Sequence, residues 1–432
     1  MKKRGVWLNL GLSAALAVPL LAGIAPARAQ GIGFLSTQLR PVEEATRLRT
    51  VILKDFPNQV AFIPTFPEQL LIQVTADAKR AKPTISLIGA LHGELEPLAE
   101  AGLLAPLDQL APAAEALGVP ASLMTLGRLG TAHQLYIPWM QATYIMAANK
   151  KALPYLPKGA DLEHLTYQQL ALWAENITKA TGQRMLGFPA GPKGLMPRFF
   201  EGYLYPSFTG GLVTTFQSPA AVKMWTYFKA LWKYVNPNSS GYDFMQEPLL
   251  AGDVWIAFDH ETRLLDALSR KPDQFVAFPA PAGPDGRFYM PVIAGLGIAR
   301  HAADATGAAA LITYLLQPKT QLLTLQEEGF FPVVKVAMPA SLEPGIRIEA
   351  SAIEAMQSAP DAKAALLPVG LGKHGGEFGQ IFMDTFQRIV LRGANIDSAL
   401  GLEARDLQRV MDDAKAPCWF PDPPSQGTCR VQ

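Results

Sequence analysis

The stretch "FDHETRLL" (258–265) places Asp259 and Glu261 two residues apart, with His260 between them and Arg263 just beyond. Paired carboxylates can act as acid and base on a glycosidic bond, but such a pair normally flanks the bond from separate elements. Two acids in one loop approach from one side, so the spacing suits hydrogen bonding to a polar molecule better than its cleavage. The chain also lacks G-x-S-x-G, H-E-x-x-H and P-loop patterns. No catalytic residue is assigned and a non-enzyme is expected, with an exported glycoside-active enzyme as the weaker alternative.

Other polar residues gain interest from the elements that would position them. "IGFLSTQL" (32–39) reads as a strand, and "PVEEATRLRTVILKDF" (41–56) as a helix with Val42, Ala45, Leu48, Ile52 and Phe56 on one face. "QVAFIPT" (59–65) reads as a strand, "PEQLLIQVTADAKRA" (67–81) as a helix and "PTISLIGA" (83–90) as a strand. This alternation predicts a parallel sheet with covering helices, an α/β fold. Ligands of such sheets sit beyond the carboxyl ends of the strands. The rule selects Ser36, Thr37 and Gln38, then Thr65 and Phe66, then His92, Gly93 and Glu94.

Further along, "LTYQQLALWAENITKATG" carries Thr166 as N-cap, Gln169 three residues on, an apolar stripe through Leu170, Trp173, Ala174 and Ile177, and Gly182 as the stop. "SPAAVKMWTYFKALWKYV" repeats the logic, with Ser218 capping and Pro219 opening the helix. The tryptophans at helical spacing are expected in the core. "DVWIAFDH" (253–260) and "QFVAFPAPAG" (274–283) read as strands.

Lys2, Lys3 and Arg4 precede an apolar run that ends in Ala27-Arg28-Ala29, the pattern of a secretory signal cleaved after Ala29. Ile24 stands where a lipid-anchored precursor would carry cysteine. A free protein of the periplasm or the cell exterior is therefore expected. Removing residues 1–29 moves the formal charge from +1 to −3. That balance, with no later basic cluster, argues against a nucleic-acid partner. Cys418 and Cys429 stand eleven apart in a tail rich in proline and glycine, and in an exported chain they are expected to form a disulfide. A closed zinc site needs four ligands, and the nearest histidine, His374, is far upstream, so no metal and no cofactor are expected.

The order of these pieces resembles the extracellular solute-binding proteins of ABC importers, in particular their sugar-binding family. "LYIPWMQATYIMAANKKAL" (135–153) is similar to the family's strand leading to a Tyr-Asn-Lys-Asp turn, and "HLTYQQLALWAENITKATG" to the helix after it. "QEPLLAGDVWIAFDHETRLL" (246–265) resembles its cleft strand and loop, "VAFPAPAGPDGRFYMPVIAGLGIAR" (276–300) its returning strands, and "AALITYLLQPKTQLLTLQEEGFFPV" (309–333) its helix with a Gly-x-x-Pro end. The match departs at Ala147 and Lys151, where Tyr and Asp are usual, and in the absence of a tryptophan from "FDHETRLL".

The resemblance implies two lobes, each a mixed sheet flanked by helices, with a ligand cleft between them. Residues 30–139 plus 277–316 would form lobe one and residues 140–276 plus 317–432 lobe two. Pro138 to Tyr144 would be the first crossing, with others near Ala277 and Pro318. The implied ligand is a small solute, most naturally a sugar, handed by a monomeric binding protein to a membrane permease. A sugar site wants flat faces and paired polar groups. Trp139, Phe66, His92 and Phe378 are the candidate faces, and Gln38, Glu94, Gln141, Asp259, Glu261 and Arg263 the candidate hydrogen-bonders. A polyamine is the alternative solute, since Glu94, Asp259 and Glu261 beside Trp139 would suit an ammonium group.

Overall fold

The computed structural model describes residues 31–432, so the expected signal segment lies outside the described residues. The first elements follow the alternation in the sequence: β1 (Ile32–Ser36), β2 (Val60–Pro64) and β3 (Leu87–Leu91) are parallel neighbours. Helices Pro67–Ala78 and His92–Glu100 follow β2 and β3. The run expected as one helix over 41–56 is a short α-helix, Val42–Arg47, which widens into a π-turn at Leu48–Ile52. Phe34 and Leu87 pack on one face of this sheet, and Leu35 and Ile88 on the other. Burial of both faces explains why the strands read as unbroken apolar runs.

β4 (Ile137–Ala142) joins this sheet and β5 (Tyr144–Asn149) starts another. In the second sheet β5 lies between β7 (Ile256–His260) and β8 (Phe275–Phe278), with β6 (Leu186–Gly187) on the outer edge of β7. β9 (Arg287–Tyr289) pairs with the late strand β12 (Ala362–Ala364). β10 (Val292–Ile298) and β11 (Phe331–Pro332) return to the first sheet, whose order is β11-β4-β10-β3-β1-β2. The molecule thus has two sheet-centred lobes, each mixed in strand direction and each with its own core.

The strands correct the expected lobe boundaries. β4 stays in lobe one through Ala142, so the first change of sheet falls at Thr143, not at 139. The second falls after Met290, not near 277, because β8 pairs with β5, Ala282 bonds to Leu165, and β9 is held by β12. The third lies beyond Lys335, whose amide still bonds to Leu117 of lobe one. Pro318 opens the helix Pro318–Glu328 at its first position, where its missing N–H is harmless, and so marks no crossing. That helix rests on lobe one: Gln321 Nε2 donates to the Trp139 carbonyl at 2.7 Å, and Arg47 pairs with Glu328 at 2.8 Å.

The middle helices form where their caps placed them. Thr166 accepts from the Gln169 amide, Gln169 Oε1 accepts from the Thr166 amide, and Gly182 ends Tyr167–Thr181 at φ +70°. Trp173 and Trp225 are buried in the lobe-two core. Cys418 and Cys429 are bonded, with Cα atoms 4.6 Å apart. Between them Asp422, almost fully buried, accepts from the amides of Leu212, Val213 and Thr214 at 3.1, 2.7 and 3.0 Å, and from the Thr214 hydroxyl. Replacing Asp422 by Ala leaves several buried donors unpaired. Unfolding in denaturant is expected to register a loss of about 3 kcal/mol or more, since each orphaned donor costs roughly 1–3 kcal/mol. Unchanged stability would show that water reaches those amides.

Candidate functional site

The strand-end rule brings one polar cluster together on lobe one. β1 delivers Thr37 and Gln38, and β3 delivers His92 and Glu94 into the first turn of helix His92–Glu100. The Glu94 carboxylate accepts from Thr37 Oγ1 at 2.5 Å and from the Leu91 amide at 2.9 Å. Gln38 Nε2 donates to the same Thr37 hydroxyl at 3.0 Å. Burial raises the Glu94 carboxyl above its usual range, against the pull of those donors and of the charge of Arg40. His92 Nδ1 lies 2.8 Å from the Tyr136 hydroxyl, and burial pushes the ring down to about 4, so it stands neutral at pH 7. Amide, hydroxyl, carboxylate and neutral imidazole stand side by side, a set able to donate to and accept from a neutral polar molecule.

Phe66 caps the helix after β2 and is 58% exposed, with the Arg40 guanidinium 5.1 Å over its ring. Thr65, just before it, has a buried hydroxyl without a partner among the described residues. Gln141 lies near the first crossing, its amide nitrogen 2.8 Å from the Pro332 carbonyl.

Four expected site residues are placed elsewhere. Trp139 is fully buried against Phe34, ring centroids 5.7 Å apart, because β4 is an interior strand covered on both faces. It is a core residue and no ligand face. Phe378 is likewise buried, between Phe382 and Trp419 at 5.3 Å each. Asp259 has no exposure; its oxygens accept from the Met245 and His260 amides at 3.0 and 2.8 Å, which ties the start of helix Gln246–Ala251 to β7. Glu261 is equally buried, and its Oε2 accepts from the Thr143 amide at 2.8 Å. The family resemblance had implied a cleft loop here, but the acids serve backbone donors inside the lobe.

Arg263 stays near the surface. Its guanidinium lies 4.4 Å over the ring of Phe244, which is 44% exposed, and donates to the Asp243 carbonyl at 3.2 Å. Each lobe therefore carries an arginine on an exposed phenylalanine.

Two features escaped the sequence reading. Arg198, 31% exposed, is held at 2.6 Å by the buried Glu201, and the signal was present as an i, i+3 charge pair inside the aromatic run "MPRFFEGYLYP". Thr143 is the other. Its amide donates to Glu261 Oε2, its carbonyl accepts from the Glu261 amide at 3.2 Å, and its hydroxyl donates to the Met290 carbonyl at 3.0 Å, so the first crossing is bonded to the second. Tyr203 reinforces the joint, its hydroxyl 3.0 Å from both the amide and the carbonyl of Tyr144.

Glu261 Oε1 and Glu349 Oε1 are buried with no partner among the described residues. Burial raises the Glu261 carboxyl to about 8 and that of Asp259 to about 7, and it also holds Glu349, which Glu261 further repels, well above its usual range. A folded-state carboxyl pKa above the unfolded one means that the folded protein keeps a proton the unfolded chain releases, so stability falls as pH rises through that window. Glu261→Gln keeps an acceptor for Thr143 and cannot ionise. Its stability relative to wild type is expected to improve between pH 5 and pH 8 by on the order of 1 kcal/mol or more, read from denaturant midpoints. A pH-independent difference would mean that Glu261 is already ionised in the fold.

No group of three or more metal-ligating side chains occurs among the described residues, and no described helix is long and apolar enough to cross a membrane. Residues 64–322 match the family model of bacterial extracellular solute-binding proteins. No curated protein matches the chain. Among solved structures, maltose-bound MalE3 of T. maritima aligns at 17% identity and TM-score 0.66, covering 88% of this chain and 99% of that one. The cyclic alpha-maltosyl-1,6-maltose binding protein of Arthrobacter globiformis also gives 17% and 0.66, over 88% and 99%. UgpB of Mycobacterium tuberculosis, in complex with glycerophosphocholine, gives 18% and 0.63, over 89% and 99%. At such identities the likeness is one of fold.

Proposed function

The chain belongs to the bacterial extracellular solute-binding proteins, and from that premise we propose that it captures a sugar or oligosaccharide between its two lobes and presents it to an ABC transporter permease. It would do so as a monomer in the periplasm, after removal of residues 1–29, with closure of one lobe over the other as the signal read by the permease. A ligand shifts such an equilibrium only through its differential affinity for the closed state, so its contacts must be shared between the lobes.

The observation that carries the sugar reading is the state of the acids. A site for an ammonium group needs a carboxylate with charge to spare. Asp259 and Glu261 are sealed inside lobe two on backbone amides, and Glu94 is engaged by Thr37 and Leu91 within reach of the charge of Arg40. What remains open in that cluster is neutral: the side-chain amide of Gln38 and the uncharged ring of His92. Those groups pair with sugar hydroxyls without a buried net charge. The same engagement of Asp259 and Glu261 leaves no flanking carboxylate pair to support the glycoside-active alternative.

Thermal unfolding with maltose, D-galactose, glycerophosphocholine and spermidine tests the reading. A cognate solute at 100 times its dissociation constant stabilises the fold by about 2.7 kcal/mol. A sugar is expected to raise the melting temperature and spermidine to leave it unchanged. A shift with spermidine alone would replace the sugar by an amine.

A further inference from the structure

Apart from the crossings, the lobes also meet where the first turn of helix His92–Glu100 faces the loop 366–371 that follows β12. A side-chain carbon built on Gly93 would lie 2.9 Å from the Pro368 carbonyl oxygen and 3.7 Å from Val369 Cα. One turn on, Glu96 Oε2 is 3.5 Å from the corresponding position on Gly370. Backbone thus approaches backbone, with no side chain of residue 93 between them.

Neither surface yields easily. On lobe one the turn is pinned by the Leu91 amide bond to Glu94 and by His92 against Tyr136. On lobe two the loop is bonded at Ala365 to the Tyr289 carbonyl (2.7 Å) and at Leu366 to the Phe420 carbonyl (3.1 Å), and a side-chain carbon built on Gly370 would lie 3.5 Å from Pro417 and 3.6 Å from Ala416. The disulfide-closed tail therefore backs the loop from behind.

The helix itself gives no reason for glycine at 93. The residue is not among those with positive φ, and alanine is the better helix former. Among the described residues, the nearest atoms that a side chain at 93 would strike outside its own helix belong to the other lobe.

We propose that Gly93 is a closure residue, whose missing side chain lets lobe one seat against the Pro368 carbonyl of lobe two and thereby sets how tightly a solute is held between them. The second half of this statement rests on the reading that a solute is taken up between the lobes. A Cβ at 2.9 Å from a backbone oxygen is a contact that real structures essentially never keep, so the lobes must part to admit it.

Two measurements test it. The first needs no solute: small-angle X-ray scattering of the solute-free, full mature chain is expected to give a larger radius of gyration for Gly93→Val than for wild type, because the added side chain meets the Pro368 carbonyl. An equal radius of gyration in the two proteins overturns the proposal. The second measures affinity of Gly93→Ala and Gly93→Val by calorimetry, for whichever of the four compounds named above binds the wild type. Alanine is expected to weaken binding about tenfold and valine more, while the melting temperature of the solute-free alanine variant stays equal or rises. Wild-type affinity in both variants overturns the proposal. An enlarged radius for Gly93→Val in a protein that binds none of the four keeps the seating and removes the sugar reading instead.

Discussion

Thr143 sits where one strand leaves a sheet and the next enters another, so no single sheet can satisfy its amide and its carbonyl. Both groups are buried, and an orphaned backbone donor there would cost as much as a lost hydrogen bond. Glu261 resolves the constraint alone: its side chain takes the Thr143 amide and its own amide gives to the Thr143 carbonyl. At this point one residue replaces a ladder of strand bonds.

That arrangement draws other features along. Glu261 opens the helix Glu261–Arg270, so its place at the joint is inherited from the end of β7. Asp259, two residues earlier at the end of β7, fixes the neighbouring segment through Met245, and the buried Glu349 of helix Pro344–Ser358 feels the charge of Glu261. Lobe two thus buries Glu261 and Asp259 near the joint, whereas lobe one presents its polar groups at open strand ends. Of the two acids that looked most like a site, Glu261 bonds to the first crossing and Asp259 ties Met245 to β7.

How much of this was legible is best seen residue by residue. Thr166, Gln169 and Gly182 act within one helical turn, and local chemistry alone placed them. The alternation from β1 to β3 located Thr37, Gln38, His92 and Glu94 because a parallel sheet sends all its carboxyl ends to one side. Trp139 and Phe378 were misplaced for a shared reason: exposure of an aromatic depends on what covers the strand or helix, and the covers are distant in sequence. Phe34 is about a hundred positions from Trp139 and Trp419 about forty from Phe378. Asp259 and Glu261 failed likewise, since their partners Met245 and Thr143 come from other segments. The crossings near 290 and beyond 335 were hidden because leaving a sheet requires no particular residue at the point of departure.

The bonds from Asp422 to residues 212–214 span about 210 positions, and they bear on the order in which the molecule assembles. Contacts that distant close late, because the loop entropy must be spent before they form. A chain emerging amino end first meets its own 212–214 loop long before Asp422 appears, and until then those amides have only water. Lobe two is further divided by the insertion of β10 and β11 into the other sheet. Neither lobe is a continuous stretch, so neither can finish before most of the polypeptide is present. Lobe two, tied this way, locks only when its last segment docks, a property that suits any route requiring an unfolded chain to pass through a narrow channel.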